Sequence, residues 1–392
     1  MSVFGPEGGA GGAGGAGTFG GAGGAGGAGG AGGAGGAGGA GGAGGAGNYG
    51  GYGDPLVTGA LISHRDGIVG TWNPPLGLPP QHAIESPGNM QNWEPWVRAA
   101  TIDFELLSSL HFSVHNEATS TGTHKAATLW HWHVTGNGPV APKAHASRVA
   151  TIIRPTTAVF KRQLQFLDDY SDLREDRAAE ILAQMSPQYA FWSSLVYLHP
   201  ERTRKTIELI GAALRLANYV EMRIKHALAC RRPIEYSSQV QPLILTPEHG
   251  SLPSGHSTET HMVARILWEL RGGTPGDLLG LELMRQANRI AVNRTVAGVH
   301  FPVDSAAGQL LGLTLARYFM RRATGSGVFH PWEFNGAVYP GPQDFDCTIH
   351  YDTNLGKQVN GGRPWLKQLP GVPPAKAPLL NWLWYESTLE WA

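Results

Sequence analysis

Most of the chain after residue 96 carries apolar positions at helical spacing. In the segment 97–115, the apolar residues Ala100, Ile102, Phe104, Leu107 and Leu110 recur at intervals that fit a helix. Alternating apolar and polar positions, which are typical of strands, are scarce. The helical pattern returns in six later segments: 147–167, 173–185, 201–230, 257–272, 277–295 and 302–323. We therefore predict an all-α fold, a bundle of long helices.

Glycine is concentrated at the beginning of the sequence. Of the 56 glycines, 28 lie in the first 50 residues, and residues 8–47 are mostly a Gly-Gly-Ala repeat. Such a segment has almost no side chain to bury, so it cannot offset the entropy of ordering itself. We expect residues 1–53 to form a disordered, low-complexity Gly/Ala-rich tail and residues 54–392 to form one all-α domain. Self-association of the repeat as a polyglycine-like helix with three residues per turn stays open as an alternative.

Charge and composition exclude several classes of protein. The chain has 30 Lys and Arg residues against 30 Asp and Glu residues, which disfavours binding to nucleic acid or to an anionic membrane through bulk charge. Two cysteines are too few for a disulfide-stapled scaffold. The sequence shows no recognisable secretory signal. It also has no apolar stretch as long as the about 20 residues that a bilayer-spanning helix needs. We therefore expect a soluble, cytoplasmic protein without a membrane span, and we leave a homo-oligomer open.

Three separated segments hold residue types that bind anions and transfer protons. Each segment has a fixed internal spacing, and the three follow one another within about 80 residues. They are Lys225 with Arg232-Pro233, then Pro253-Ser254-Gly255-His256, then Asn293-Arg294 with His300 and Asp304.

The spacing within these segments suggests one oxyanion pocket. Lys225 and Arg232 are seven residues apart, which places them on one helix face near its end. Ser254 precedes a helical pattern, and the free N–H groups of a helix N-terminus suit an oxyanion. Arg294 offers a forked donor. His300 lies four residues before Asp304, so the carboxylate can bind one ring nitrogen and leave the other free to attack.

At these residues the chain resembles the type 2 phosphatidic acid phosphatase and vanadium haloperoxidase superfamily. The family signature reads Lys-x6-Arg-Pro, Pro-Ser-Gly-His and Ser-Arg-x5-His-x3-Asp, and all three parts occur here in order. The resemblance spans residues 225–304 as the motif core, and it implies a helical bundle of the vanadium haloperoxidase or acid phosphatase type. One position departs from the signature, because Asn293 stands where the family has a serine.

The resemblance also implies roles for the matching residues. His256 would be the general acid/base, His300 would form the covalent bond to phosphorus or vanadium, and Asp304 would orient His300. Five groups would bind the oxygens of the phosphate or vanadate: Lys225, Arg232, Ser254, Gly255 and Arg294.

Two chemistries fit this pocket. The leading interpretation is a vanadate-dependent haloperoxidase, in which vanadate is the cofactor, His300 binds the vanadium, and hydrogen peroxide and halide are the substrates. His249 resembles the halide-site or proton-relay histidine that bromoperoxidases of the family carry five residues before the serine. The alternative is a soluble acid phosphatase without a cofactor, which hydrolyses a phosphate ester through a phosphohistidine intermediate. A third interpretation is a non-catalytic assembly module with a vestigial site.

Two other groups contain metal-ligand residue types. His131 and His133 would share one side of a strand. We favour a half-buried strand or loop without a metal for this pair. A solvated loop is our expectation for the second group, which consists of Asp344, Asp346, His350 and Asp352.

Overall fold

A computed structural model describes residues 55–71, 83–135, 143–186 and 188–392. The tail of residues 1–53 lies outside the described residues, so its disorder and the domain boundary at residue 54 stay predictions. The chain divides into two compact units near Arg98. The smaller unit contains α1 (Pro55–His64) and the first residues of α2 (Pro95–Leu107). The larger unit includes Ala99–Ala392 and holds the candidate site.

The larger unit combines helices with two sheets. After α2, nine helices follow in the described chain: α3 (Thr157–Asp169), α4 (Arg174–Ala183), α5 (Tyr189–Val196), α6 (Arg204–Leu228), α7 (Pro233–Tyr236), α8 (Gly255–Leu270), α9 (Leu278–Val296), α10 (Pro302–Thr324) and α11 (Pro378–Leu389). The strands are β1 (Leu110–Thr119), β2 (Gly122–Thr135), β3 (Lys143–Ile153), β4 (Trp332–Asn335), β5 (Tyr351–Asp352), β6 (Lys357–Gln358) and β7 (Leu366–Gln368).

The all-α prediction is wrong, because five strands form a mixed sheet in the order β1-β2-β3-β4-β7. The first three strands pair antiparallel, β3 and β4 pair parallel, and β4 and β7 pair antiparallel. β5 and β6 form a separate two-stranded sheet. The fold is therefore a helical bundle joined to a sheet.

The error comes from residues 97–167, where two helices were predicted across the strands. The first predicted helix stops at Leu107, and β1 begins three residues later. The second begins only at Thr157, because β3 occupies Lys143–Ile153. β3 contains three alanines, which favour helix locally, yet it pairs with β2 on one side and β4 on the other. Pairing between distant strands overrides local preference here.

The centre of the helical part is the contact between α8 and α10. Almost every residue of both helices is buried, which is typical of core helices. Two glycines of α10 let the backbones approach closely. A Cβ atom on Gly308 would lie 2.6 Å from the Ser254 carbonyl oxygen, and one on Gly312 would lie 2.2 Å from the Thr258 carbonyl oxygen. The beginning of α8 is thereby held directly against α10.

Replacing Gly312 with alanine is expected to lower the free energy of unfolding by about 1–3 kcal/mol, because the new methyl group must push the backbones apart. Urea unfolding of the full chain measures the loss. Gly70→Ala is the matched control, since a Cβ atom there has nothing within 4 Å. Equal stability of Gly312→Ala and the unchanged protein would contradict the close packing.

None of the described helices combines the length and the apolar character that crossing a bilayer requires.

Candidate active site

Lys225 and Arg232 flank the end of α6. The helix ends at Leu228, because Ala229 adopts the left-handed conformation (φ 45°), and Pro233 then begins α7. Lys225 is buried and its Nζ donates to the carbonyl oxygens of three residues in the segment before α8: Gly250, Ser251 and Pro253. The Arg232 guanidinium is also buried, and its Nε donates to the His249 carbonyl oxygen at 3.0 Å. Both cations are therefore fixed by backbone carbonyls.

The Pro-Ser-Gly-His segment forms the N-terminus of α8. Ser254 is the N-cap residue, and its Oγ accepts a hydrogen bond from the Ser257 N–H at 3.4 Å. Gly255 and His256 are then the first two helical residues. His256 Nε2 lies 2.8 Å from the carbonyl oxygen of Gln184, which follows α4. A carbonyl oxygen only accepts, so Nε2 carries the proton and a neutral His256 has its lone pair on Nδ1.

His300 and Asp304 meet at the beginning of α10. Asp304 Oδ2 accepts from His300 Nδ1 at 3.1 Å and from the Phe301 N–H at 3.0 Å, so this carboxylate also satisfies a terminal N–H of the helix. The Ser251 hydroxyl donates to the same oxygen. Asp304 is fully buried, and the three contacts fix the orientation of the imidazole ring.

The second ring nitrogen of His300 faces Arg232. Nε2 lies 3.0 Å from Arg232 Nη1, and a guanidinium can only donate. The lone pair of His300 is therefore on Nε2, while Nδ1–H binds Asp304. This is the tautomer that a nitrogen nucleophile requires, since the free lone pair points away from the carboxylate.

Arg294 reaches the same region from the last turn of α9. Its Nη2 donates to Gln184 Oε1 at 3.0 Å and to the Ile181 carbonyl oxygen at 3.3 Å. Its Nε and Nη1 are buried and have no hydrogen-bond partner within the described part of the chain. Neighbouring Asn293 instead binds Gln184 Oε1 and Glu180 Oε1. Unpartnered N–H groups on a buried cation fit the oxygens of a tetrahedral anion.

These side chains line one cavity that is open to solvent. Seven of the nine residues singled out in the sequence line it: Lys225, Arg232, His249, Gly255, His256, Arg294 and His300. Ser254 and Asp304 are not among the lining residues. Ser254 caps α8 and Asp304 holds His300 instead. Ile244, Pro247 and His249 form part of the wall and belong to the irregular segment between α7 and α8.

Burial and positive charge keep the histidines of the cavity neutral. Desolvation, with Arg294 as the next cause, lowers the pKa of His256 to about 3. Desolvation together with Lys225 and Arg232 lowers the pKa of His249 to about 3, and desolvation with Arg232 holds the pKa of His300 well below its ordinary value. His249 Nδ1 accepts from Arg232 Nη2 at 3.0 Å, as a neutral ring can.

The arginines keep their charge. Desolvation lowers the pKa of Arg232 and that of Arg294 to about 10, so both stay protonated near neutral pH. Desolvation also raises the pKa of Asp304 to about 6. The cavity therefore combines fixed cations with neutral imidazoles, which favours an anionic ligand.

Sequence reasoning did not single out three residues of this site. Ser251 binds Asp304, Gln184 binds both His256 and Arg294, and Glu221 lines the cavity. Only Glu221 had a local signal, since it lies four residues before Lys225 and hence on the same helix face. Gln184 comes from a helix far away along the chain, so no spacing marks it.

Members of the two other candidate groups contact protein atoms in the structure. Among the described residues, no group of three or more His, Cys, Asp or Glu side chains is placed to hold a metal ion. His131 and His133 do lie together on β2, but they bind Tyr318 and Ser147. Asp344, Asp346 and Asp352 accept hydrogen bonds from nearby backbone N–H groups.

Comparison with known proteins gives the family. The model of the PAP2 superfamily matches residues 208–326, the segment that runs from α6 to the end of α10. Residues 208–326 therefore resemble the PAP2 superfamily, and we call them the PAP2 segment. Every residue singled out at the candidate site lies in this PAP2 segment.

Part of the chain is also similar to a curated phosphatase. The decaprenylphosphoryl-5-phosphoribose phosphatase of Mycobacterium tuberculosis is 31% identical over 116 residues, both in strain CDC 1551 / Oshkosh and in strain ATCC 25618 / H37Rv. The match covers 30% of this chain and 60% of the relative, so the chain spans less than two thirds of the proteins it matches. These matches support an enzyme of the phosphatase superfamily and do not support haloperoxidase specifically.

Proposed function

We propose that the protein is a phosphomonoesterase that works through a phosphohistidine at His300. The observation that carries the proposal is that Lys225, Arg232 and Arg294 line one cavity together with His300. All three cations are almost fully buried. Buried charge is costly unless an opposite charge compensates it, so this cavity favours a multiply charged anion beside the imidazole.

In the first half-reaction, His300 Nε2 attacks the phosphorus atom and the ester bond to the leaving oxygen breaks. The phosphoryl group takes the place that the Arg232–His300 contact now occupies. The cations and the N-terminus of α8 neutralise the phosphoryl oxygens as their charge redistributes. Asp304 stabilises the positive charge that His300 gains, through Nδ1–H.

In the second half-reaction, water attacks the phosphorus atom and the bond to His300 Nε2 breaks. We assign proton transfer to His256, first to the leaving oxygen and then from the attacking water. The carbonyl oxygen of Gln184 holds Nε2–H, so Nδ1 is the nitrogen that exchanges the proton. Inorganic phosphate is then released.

The relatives favour this assignment over a haloperoxidase. The curated relative is named as a phosphatase that acts on a phosphorylated compound, and the PAP2 segment contains all nine site residues that the sequence singled out. Vanadate has the shape and charge of phosphate, so the same residues would hold it: His300 at the metal, and Lys225, Arg232 and Arg294 at the oxygens. When bound, vanadate supplies a Lewis acid that activates peroxide. The position of His249 in the cavity wall is the finding that favours a haloperoxidase in this chain.

The test compares purified protein in two assays. We expect the protein to hydrolyse an aryl phosphate. Vanadate should inhibit this hydrolysis, because it imitates the phosphoryl group as it passes from the leaving oxygen to His300. Bromination of a diketone dye that depends on vanadate and peroxide, without any hydrolysis, would overturn the proposal in favour of a haloperoxidase. Inactivity in both assays would instead favour a non-catalytic assembly module.

A further inference from the structure

Two buried carboxyl groups lie at a cavity that is lined by cations, and one of them lines the cavity itself. Glu221 of α6 and Glu259 of α8 are both buried, and Glu221 lines the cavity itself. An ionised carboxylate would repel a phosphoryl group in the same space. Glu221 must therefore be protonated, or become protonated, when an anion binds.

Glu221 is closely held at the N-terminus of α8. A Cβ atom on Gly255 would lie only 2.5 Å from Glu221 Oε1, so the carboxyl group sits directly against this glycine, and His256 lines the same cavity. Its Oε2 is buried and has no hydrogen-bond partner among the described residues. Lys225, four residues further along the same helix, gives its protons to three carbonyl oxygens instead. Glu221 is thus left as a buried carboxyl group without a fixed partner.

The proposed reaction needs a proton that the histidines do not hold. A leaving alkoxide must be protonated as the ester bond breaks, which requires a proton on His256 Nδ1. In the neutral ring the proton is on Nε2, where the Gln184 carbonyl oxygen binds it. His249 and His300 are neutral as well, and the lone pairs of both accept from Arg232. Glu221 lines the same cavity and burial raises its pKa, so it is a group that can hold this proton.

We propose that Glu221 is this proton-holding residue: it transfers a proton to His256 Nδ1, from which the leaving oxygen takes it. The inference rests on the proposed phosphatase function. In the first half-reaction, the Glu221 O–H bond breaks, the bond between His300 and phosphorus forms, and the alcohol leaves with the proton. In the second, the proton of the attacking water passes to His256 and returns to Glu221. Protons balance over the cycle without any further reactant.

The charges around Glu221 set the direction of its titration. Desolvation raises the pKa of Glu221, while Lys225 and Arg232 oppose this rise. Glu259, on the facing helix, has its own pKa raised by desolvation and by Glu221. His256, which lies on α8 together with Glu259, is neutral. The protonated form supplies the proton, so the rate should fall as pH rises through the titration of Glu221.

The first test is the dependence on the leaving group in Glu221→Gln. A nitrophenolate leaves as a stable anion and needs no proton, whereas an alkoxide does. We expect hydrolysis of an alkyl phosphate to slow by about 100-fold, with a change of less than about threefold for nitrophenyl phosphate. The alkaline fall of the alkyl rate should disappear. Glu259→Gln removes the neighbouring carboxyl group, which does not line the cavity, and should keep the wild-type ratio of the two rates.

The second test does not require activity. Sulfate is a tetrahedral dianion without a titratable proton near neutral pH, so calorimetry in buffers of different ionisation heat counts the protons that the protein itself takes up. We expect proton uptake on sulfate binding that is reduced in Glu221→Gln. Equal uptake in both proteins, or equal slowing of both esters, would overturn the role of Glu221. If Glu221→Gln takes up fewer protons than the wild type and the wild type hydrolyses neither ester, the proposed phosphatase function is rejected. The assignment of Glu221 as a residue that holds a proton would then remain.

Discussion

His300→Ala is expected to abolish phosphatase turnover, with a loss of more than about 10³-fold. The substitution removes the only atom that we place in line with the phosphorus, and water cannot replace a ring nitrogen held by Asp304 at 3.1 Å. Rapid quenching after mixing with a radiolabelled phosphate ester should find acid-labile phosphoprotein in the wild type. The variant should form none.

The control for this substitution is His111→Ala, at an exposed histidine of β1. It should retain activity and form phosphoprotein. Thermal unfolding of both variants checks that the fold is maintained. Phosphoprotein in His300→Ala at the wild-type level would show that a different residue is the nucleophile and would end the assignment.

Arg294→Lys is expected to cost about 100-fold in kcat/KM, even though the charge is kept. The guanidinium uses Nη2 to hold Gln184 and Ile181, and its unpartnered Nε and Nη1 remain for the ligand. An ammonium group is a point charge and cannot do both at once. Steady-state kinetics with an aryl phosphate measure the loss, and vanadate inhibition should weaken in parallel.

Arg289→Lys is the matched control on the same helix. Arg289 is half exposed and binds Glu180 at 2.8 Å, outside the cavity. Exposed ion pairs contribute little, so the kinetics of this variant should match the wild type. Full activity in Arg294→Lys would contradict the orientation of the guanidinium described above.

The candidate site was largely accessible from the sequence because its geometry is local. A histidine and an aspartate four residues apart meet at the beginning of α10, and a serine before a helix becomes its cap. These relations depend on helix geometry and on chain stops, which a sequence displays directly. The prediction that Lys225 and Arg232 share one helix face is wrong, because α6 ends at Leu228 and Arg232 lies beyond it, directly before Pro233 begins α7.

The remaining contacts join segments that have no fixed spacing. Gln184 reaches His256 and Arg294 from the end of α4, and Ser251 reaches Asp304 across the α8–α10 contact. One part of the sheet was missed for the same reason, because the parallel partner of β3 is β4, about 180 residues later. β1, β2 and β3 are consecutive strands, however, and the β-branched residues at the end of β3 were a local strand signal that the helical interpretation overlooked.

The cavity has walls of two different kinds. Its charged residues come from the ends of tightly packed helices, whereas Ile244, Pro247 and His249 come from the irregular segment before α8. The same segment fixes Lys225 and Arg232 through its carbonyl oxygens, whereas Ile244 and Pro247 line the cavity without holding either cation. For the phosphatase proposed above, substitutions at Ile244 and Pro247 are therefore the changes that alter which alcohol fits while the cations stay in place.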